Sequence, residues 1–155
     1  MGATTDRGSA QTVARRTADA LYAQDRASQA LGMSIVRVVP GEADVTMTVR
    51  PDMTNGHRIC HGGLIFALAD SAFAFACNSY GDVAVAAAAS IDFLAAVREG
   101  DTLTANAREL WRGGRSGLYE IAVVNQRGET VALFRGRSQR VGDGTAVENA
   151  TGVSR

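Results

Sequence analysis

The feature that most constrains this fold is a run of strong helix formers from Gly63 to Asn78 that is apolar on every side. Such a helix must be buried on nearly all of its faces. With about 16 residues and Asp70 in its middle, the run falls short of the roughly 20 apolar residues that a bilayer requires. We therefore predict a central helix enclosed by the remainder of one domain, and no membrane span.

The rest of the chain supplies the layer that covers this helix. Its 155 residues, 46% of them apolar, are enough for one core but leave little for a second domain. Six stretches have strand-like patterns, at 33–39, 43–50, 83–96, 102–111, 117–126 and 129–140. The last four are separated by the short connections 98–101, 113–114 and 127–128, which are of hairpin type. These patterns predict an α+β domain with an antiparallel sheet wrapped around one helix.

The two ends of the chain look different from its middle. Residues 1–10 and 142–155 are rich in Gly, Ala, Ser and Thr, so we predict mobile tails there and a folded domain at 11–141. Within that domain, the apolar spacing of 11–31 predicts an amphipathic helix and a shorter second one that stops at Gly32.

Charge is balanced overall but unevenly distributed. Sixteen basic residues, all arginine, stand against 16 acidic ones, so a nucleic-acid partner is not expected. Residues 108–140 nevertheless carry a net charge of +4, which fits either a solvated strand face or a site for a small anionic ligand.

Cysteine and histidine are too few for a disulfide framework or a metal centre. Cys60 and Cys77 are predicted to stay reduced, and the N-terminus has no secretory signal pattern, so we expect a cytoplasmic protein. His57, Cys60 and His61 are candidate metal ligands without a complete ligand set. A Cys60 nucleophile paired with His61 lacks a third, orienting group. We expect neither a metal nor a cofactor.

Asp70 is the residue with the clearest chemical potential. A carboxylate in an apolar helix is costly unless it is hydrogen-bonded, paired or facing a wet cleft, and burial raises its pKa toward the range of a general base. A structural aspartate bonded to Ser71 or to a strand is the alternative, and the sequence leaves both open.

The start of the same helix offers a second kind of chemistry. His61, Gly62 and Gly63 open it, where free N–H groups and the positive end of the helix dipole converge. Such a start can hold a carbonyl oxygen and stabilise an oxyanion, although an ordinary glycine loop before a helix has the same sequence.

Helix geometry separates these two features. Gly62 and Asp70 are eight residues apart, which places them about 12 Å apart along the helix axis. Reacting groups must approach within about 3.5 Å. If both residues serve one reaction, they come from two copies of the helix, so we predict a dimer with its sites at the interface.

Several motifs along the chain are similar to those of one family. They are Asn55, His61-Gly62-Gly63, Leu68-Ala69-Asp70-Ser71, Asn78-Ser79-Tyr80-Gly81, Ser90-Ile91-Asp92-Phe93-Leu94, Gly100 to Ala105, and Val131 to Gly136. Together they cover about residues 15–141, and they resemble the hotdog-fold acyl-CoA thioesterases of the phenylacetate-degradation (PaaI) type. The resemblance implies a hotdog fold, in which a six-stranded antiparallel sheet wraps around a long central helix.

The resemblance also implies roles for individual residues. The N–H of Gly62 would polarise the thioester carbonyl, with Asn55 and His61 shaping that end of the site. Asp70 of the other subunit would act as a general base for water or as a nucleophile, and the sequence does not choose between these.

The same resemblance implies roles for two serines and an oligomeric state. Ser71 would orient Asp70 or the water, and Ser90 would line the same cleft. Sites in this family lie at a dimer interface, and two dimers commonly form a tetramer, so a homotetramer is expected.

An anionic substrate would also suit the basic hairpin. Arg112, Arg115 and Ser116 offer guanidinium and N–H donors for the phosphates of CoA, with a solvated hairpin as the alternative. Aromatic side chains are candidates for an acyl pocket or for plain core: Phe66, Phe73, Phe75 and Phe93.

The function predicted from these features is hydrolysis of an acyl-CoA thioester. The acyl group would be that of an aromatic acid, such as phenylacetate or a ring-hydroxylated derivative. Two alternatives remain at this point: a hotdog enoyl-thioester hydratase or dehydratase, and a non-catalytic module that binds acyl-CoA or another protein.

Overall fold

A long apolar helix lies at the centre of the molecule, as the sequence predicts. The computed structural model describes residues 3–152. In chain order the elements are α1 (Ala3–Gln24), α2 (Arg26–Ala30), β1 (Ser34–Val39), β2 (Glu42–Thr48), a 3-10 turn (Pro51–Met53), α3 (Gly62–Asn78), β3 (Asp82–Phe93), β4 (Thr102–Gly113), β5 (Ser116–Val124), β6 (Thr130–Thr145) and α4 (Ala146–Thr151). The predicted α+β class is confirmed.

The strands form one six-stranded sheet in which every neighbouring pair is antiparallel. Its order is β1-β2-β4-β5-β6-β3. Strand β2 shows which face of the sheet covers α3: its inward residues Ala43, Val45 and Met47 are at most 1% exposed, while the polar residues between them face outward. This alternation with period two is what a half-buried strand requires.

The core lies between α3 and the inner face of the sheet. Leu68, Ala72 and Ala76 of α3 have no exposed surface. They pack with inward residues of the strands that are also almost fully buried, among them Leu103, Ala105, Tyr119, Ile121, Val123 and Phe134. Small side chains on the helix let the sheet approach it closely, so the helix is held in place by contacts along most of its length.

One predicted connection is wrong. The sequence predicts a hairpin between β3 and β4 at 98–101, but β3 pairs with β6 at the far edge of the sheet. The chain instead crosses over, held by backbone hydrogen bonds from Cys60 N–H to the carbonyl of Val97 and from Gly100 N–H to that of Val49. Residues 98–101 do make a tight turn, in which the N–H of Asp101 donates to the Arg98 carbonyl, but this turn lies within the crossover and does not join two paired strands.

Regular structure also extends beyond the boundaries predicted at 11 and 141. Helix α1 begins at Ala3, and β6 continues to Thr145, where α4 follows. Thr145 caps α4 by accepting the N–H of Glu148, and the N–H of the buried Ala146 donates to the Gly81 carbonyl. The predicted tails therefore contain helix and strand, except for residues 1–2 and 153–155, which lie outside the described residues.

The other predictions for the N-terminal region are confirmed. A long helix and a short one follow each other, and Gly32 ends the second with a φ of +69°, a conformation that favours glycine. Within residues 3–152, no helix is both long and apolar enough to cross a membrane.

Candidate active site

The start of α3 presents an unused backbone donor. His61 is the N-cap, and its Nδ1 accepts the N–H of Gly63 at 3.1 Å. The N–H groups of Leu64 and Ile65 donate to the His61 carbonyl. The N–H of Gly62 donates to no acceptor in the part of the chain that the structure describes. It therefore remains available, at the positive end of the helix dipole, to an external oxygen.

Gly62 also lies at a close approach between α3 and β3. A Cβ added to this residue would come within 2.9 Å of the Phe93 ring. Phe93 ends β3 and is 53% exposed. The helix start therefore lies at the edge of the sheet, beside an aromatic ring that the protomer leaves largely uncovered.

Asn55 shapes the loop that leads into this helix. Its side-chain Oδ1 accepts the N–H of His57 at 2.9 Å, and its own N–H donates to the Ile59 carbonyl at 2.8 Å. Arg58, between them, has a φ of +60°, which is unusual for a residue with a side chain. The N–H of His61 then donates to the Met53 carbonyl, which ties the loop to the 3-10 turn. Asn55 thus sets the path of the chain into α3.

The candidate metal ligands of this loop do not form a cluster. His57 is exposed, whereas Cys60 is buried and its burial raises the pKa of the thiol. Among residues 3–152 there is no group of three or more His, Cys, Asp and Glu side chains placed to hold a metal ion.

Asp70 is half-buried in the middle of α3. Burial raises the pKa of its carboxyl group, and the negative charge of Asp25 raises it further. Both effects make the carboxylate a better proton acceptor. Because α3 is one uninterrupted helix, the separation of about 12 Å from Gly62 persists, and the structure does not bring these two residues together within one protomer.

Ser71 belongs to a chain of hydrogen bonds. Its Oγ lies 2.8 Å from that of Ser28, a residue of α2 that is 2% exposed. Ser28 in turn donates to Asp25, the N-cap of α2. Asp25 and Ser28 are not among the residues predicted from the sequence. Asp25 shows a local signal, since aspartate is a preferred N-cap, but no sequence pattern predicts a contact between Ser28 and Ser71.

The basic hairpin residues lie near the other end of α3. Arg112 stacks 3.5 Å above the centre of the Tyr80 ring, and Arg115 donates to the carbonyls of Arg140 and Gly142. They line a small cavity together with Ser116 and other residues, one of which, Cys77, lies about 22 Å along the helix axis from Gly62. Both guanidinium groups therefore already have partners within the protomer.

Ser90 does not join Gly62 or Asp70 within one protomer. It pairs with Arg135 across β3 and β6, while its neighbour Ala89 pairs with Gly136. A Cβ on Gly136 would meet the Phe73 ring at 2.8 Å, so Gly136 and Ala89 face α3. Successive residues of a strand face opposite sides, so Ser90 faces away from the helix.

Two of the four candidate pocket aromatics are buried core residues, and a third packs against the core. Phe73 and Phe75 are at most 2% exposed, and Phe66 packs edge-on against Phe134 with 5.0 Å between ring centres. Phe93 alone among the four is exposed, and it lies at the helix start.

Comparisons with known proteins show the family of this chain. The thioesterase superfamily model matches residues 57–132, the part that holds the helix start and Asp70. The acyl-coenzyme A thioesterase PaaI of Escherichia coli is 53% identical over 127 residues, covering 82% of this chain and 91% of that protein. Its solved structure, described as PaaI from the phenylacetic acid degradation operon, superposes with a TM-score of 0.85 at 52% identity, covering 87% of this chain and 97% of that one.

A more distant structure was solved with a ligand. A Streptococcus mutans protein bound to acetyl-CoA is 28% identical, with a TM-score of 0.69, covering 72% of this chain and 90% of that one. The fold and these likenesses confirm the predicted hotdog architecture and the predicted thioester hydrolase. The chain belongs to the thioesterase superfamily, among its hotdog-fold members of the PaaI type.

Proposed function

We propose that this protein hydrolyses acyl-CoA thioesters of aromatic acids, with phenylacetyl-CoA or a ring-hydroxylated derivative as the substrate, in the cytoplasm. The name of the Escherichia coli relative and the acetyl-CoA bound to the Streptococcus mutans protein support the CoA ester. The exposed Phe93 ring beside Gly62 offers a surface for an aromatic acyl group. The observation that carries the proposal is the unused N–H of Gly62 on the helix that also bears Asp70.

The proposed reaction needs only these two groups and water. Asp70 accepts a proton from a water molecule while the water oxygen attacks the thioester carbon. The negative charge that develops on the carbonyl oxygen is stabilised by the N–H of Gly62 of the partner subunit. The C–S bond then breaks, the sulfur keeps the electron pair, and the proton held by Asp70 passes to it, giving free acid and CoA.

Direct attack by Asp70 is the second form of the same proposal. A carboxylate oxygen would displace CoA and leave a mixed anhydride, which water then hydrolyses. Trapping that anhydride, or finding ¹⁸O from labelled water in Asp70 after a single turnover, identifies the nucleophile; unlabelled Asp70 with no trapped intermediate identifies the general base.

Strand β3 supports the proposed dimer. It is a twelve-residue edge strand whose outer side pairs with no other described strand. Val85, Phe93 and Leu94 are between 47% and 56% exposed there, without the lysine, proline or short length that usually protects such an edge. Because the Phe93 ring lies beside Gly62, a second copy on this edge would bring its own α3 beside the helix start. The tetramer stays a prediction from the family resemblance.

The substrate proposal is tested by a hydrolysis screen that follows free thiol. Aryl, short-chain and long-chain acyl-CoAs are compared, and we expect the highest kcat/KM with phenylacetyl-CoA or a hydroxyphenylacetyl-CoA. Crotonyl-CoA is included with readouts for both thiol release and loss of the double bond. Hydration without thiol release would indicate the hydratase, and tight binding without turnover would indicate a non-catalytic module.

The hairpin arginines are expected to affect substrate binding more than the chemical step. We propose that Arg112, Arg115 and Ser116 contact the phosphates of CoA from the hairpin between β4 and β5. Arg112→Ala or Arg115→Ala should raise KM about fivefold and change kcat by less than about twofold, because a charge-assisted hydrogen bond to phosphate is lost.

Steady-state kinetics on a short and a long acyl-CoA measure this effect. Arg127→Ala, at the exposed turn between β5 and β6, is the matched control. An unchanged KM in both hairpin variants contradicts the role, and the guanidinium groups would then serve their contacts within the protomer, with Tyr80, Glu109 and the two carbonyls.

A further inference from the structure

A second carboxylate reaches the candidate site through two serines. Asp25 Oδ1 accepts the N–H of Ser28 at 2.9 Å, and its Oδ2 accepts the Ser28 hydroxyl at 2.5 Å. The Ser28 oxygen lies 2.8 Å from the oxygen of Ser71, which directly follows Asp70 on α3. Ser28 is almost fully buried, so water does not substitute for these contacts.

The hydroxyl protons in this series of hydrogen bonds can be assigned in only one way. A carboxylate accepts hydrogen bonds and donates none, so the single proton of Ser28 points to Asp25. The hydrogen bond between the serines must therefore use the proton of Ser71. Ser71 is left with oxygen lone pairs, and toward any other group it acts as an acceptor.

We propose that Asp25 is a positioning residue: through Ser28 it orients the Ser71 hydroxyl, so that Ser71 accepts one proton of the attacking water while Asp70 accepts the other. This inference rests on the hydrolysis proposed above. A water held by two acceptors has both lone pairs free and presents one of them to the thioester carbon, and that alignment is what speeds attack. Asp25 itself touches neither water nor substrate.

The effect of Asp25 on the pKa of Asp70 can be separated from the effects of the other titratable groups around α3. Asp25 is the charged side chain whose charge raises the pKa of Asp70. Other titratable side chains lie on α3 or on the elements packed around it. Tyr22 donates to the Met33 carbonyl, Tyr119 donates to Glu109, and Cys77 is a buried thiol. The inward side chains of β2 and β4 that cover the helix are apolar, apart from Glu109 near the end of β4, whose carboxylate accepts the hydroxyls of Tyr80 and Tyr119.

Two variants separate the charge of Asp25 from the hydrogen-bond chain. Asp25→Asn keeps a good N-cap but places an amide donor against Ser28, which reverses or breaks the chain. We expect kcat to fall about tenfold, KM to stay within about twofold, and the acid limb of kcat/KM to move to lower pH. The limb moves down because removal of a nearby negative charge lowers the pKa of Asp70. Ser28→Ala should lower kcat similarly and leave the limb unmoved, since the charge remains.

A double variant tests whether Asp25 acts through Ser71. Once Ser71→Ala has removed the hydroxyl, adding Asp25→Asn should lower kcat no further. Asp19→Asn is the control: it removes one carboxylate from an exposed position on α1, where Asp19 pairs with Arg15, and it should leave kcat and the pH profile unchanged. Melting temperatures of all variants show that they are folded.

The outcomes for this inference and for the proposed function are distinct. An Asp25→Asn variant with the kcat and acid limb of the parent overturns the positioning role, and so do losses that add fully in the double variant. If Asp70→Asn is inactive in the same experiment, only the positioning role fails. If Asp70→Asn keeps full hydrolysis, the proposed function itself fails.

Discussion

Asp70→Asn is expected to lower kcat by about 10³-fold or more while the protein stays folded. The amide has the shape of the carboxylate but can neither accept the proton of water nor attack the thioester. Thiol release from phenylacetyl-CoA, measured from steady state to single turnover, quantifies the loss. The exposed Asp143→Asn on β6 is the matched control and should keep the parent activity.

The same substitution is expected to raise stability at neutral pH. Burial and the charge of Asp25 raise the pKa of Asp70, so its ionised form disfavours the folded state. This penalty is present above the folded pKa and disappears as the pH falls below the unfolded value of 3.8. The melting temperature of Asp70→Asn should therefore exceed that of the parent at about pH 8, with the difference narrowing toward about pH 4. A variant that is less stable and fully active would contradict the assigned role of Asp70.

Gly62→Pro should lower kcat by about 10²- to 10³-fold, the usual cost of losing one oxyanion donor. Proline removes the N–H, yet it is favoured at the first position of a helix, and His61 before it already has the extended ψ of 128° that proline requires. Gly62→Ala is the matched variant because it adds the same Cβ against Phe93 but keeps the N–H. Equal losses in the two variants would show that crowding, not the donor, matters.

Mixing the Asp70→Asn and Gly62→Pro variants tests whether each site is formed by two subunits. When Asp70→Asn and Gly62→Pro subunits exchange at random, about half of the dimers contain one of each, and each mixed dimer has one site with both residues intact. About a quarter of the parent activity should therefore appear from two inactive preparations. If Asp70 and Gly62 worked within one protomer, every site would carry a lesion and no activity would return.

Much of the fold follows from local patterns in the sequence. The apolar run predicts α3, and the alternation along β2 predicts which side chains face it, because both depend on the regular spacing of residues. The position of β3 does not follow in this way. Its pairing with β6 depends on a crossover that is anchored by Cys60 and Val49, both of which are far from it in sequence.

The candidate site likewise contains residues that the sequence predicts and residues that only tertiary contacts bring together. Gly62 and Asp70 are recognisable because a helix start and a carboxylate in an apolar helix have chemical meaning by themselves. Ser28 is 43 residues from Ser71, and only the docking of α2 against α3 brings them together. The partners of Arg112 and Arg115 are likewise set by tertiary contacts, which is why the net charge of the hairpin overstates what is available to a ligand.

The two buried cysteines have a consequence for redox chemistry. A thioester hydrolase releases a thiol in every turnover, and oxidised forms of that thiol can exchange with protein thiolates. Exchange requires the thiolate, and burial raises the pKa of Cys60 and raises that of Cys77 to about 12. At most 6% of either residue is exposed. The enzyme is thereby protected from mixed-disulfide formation with its own product, and its activity should not respond to the thiol redox state of its surroundings.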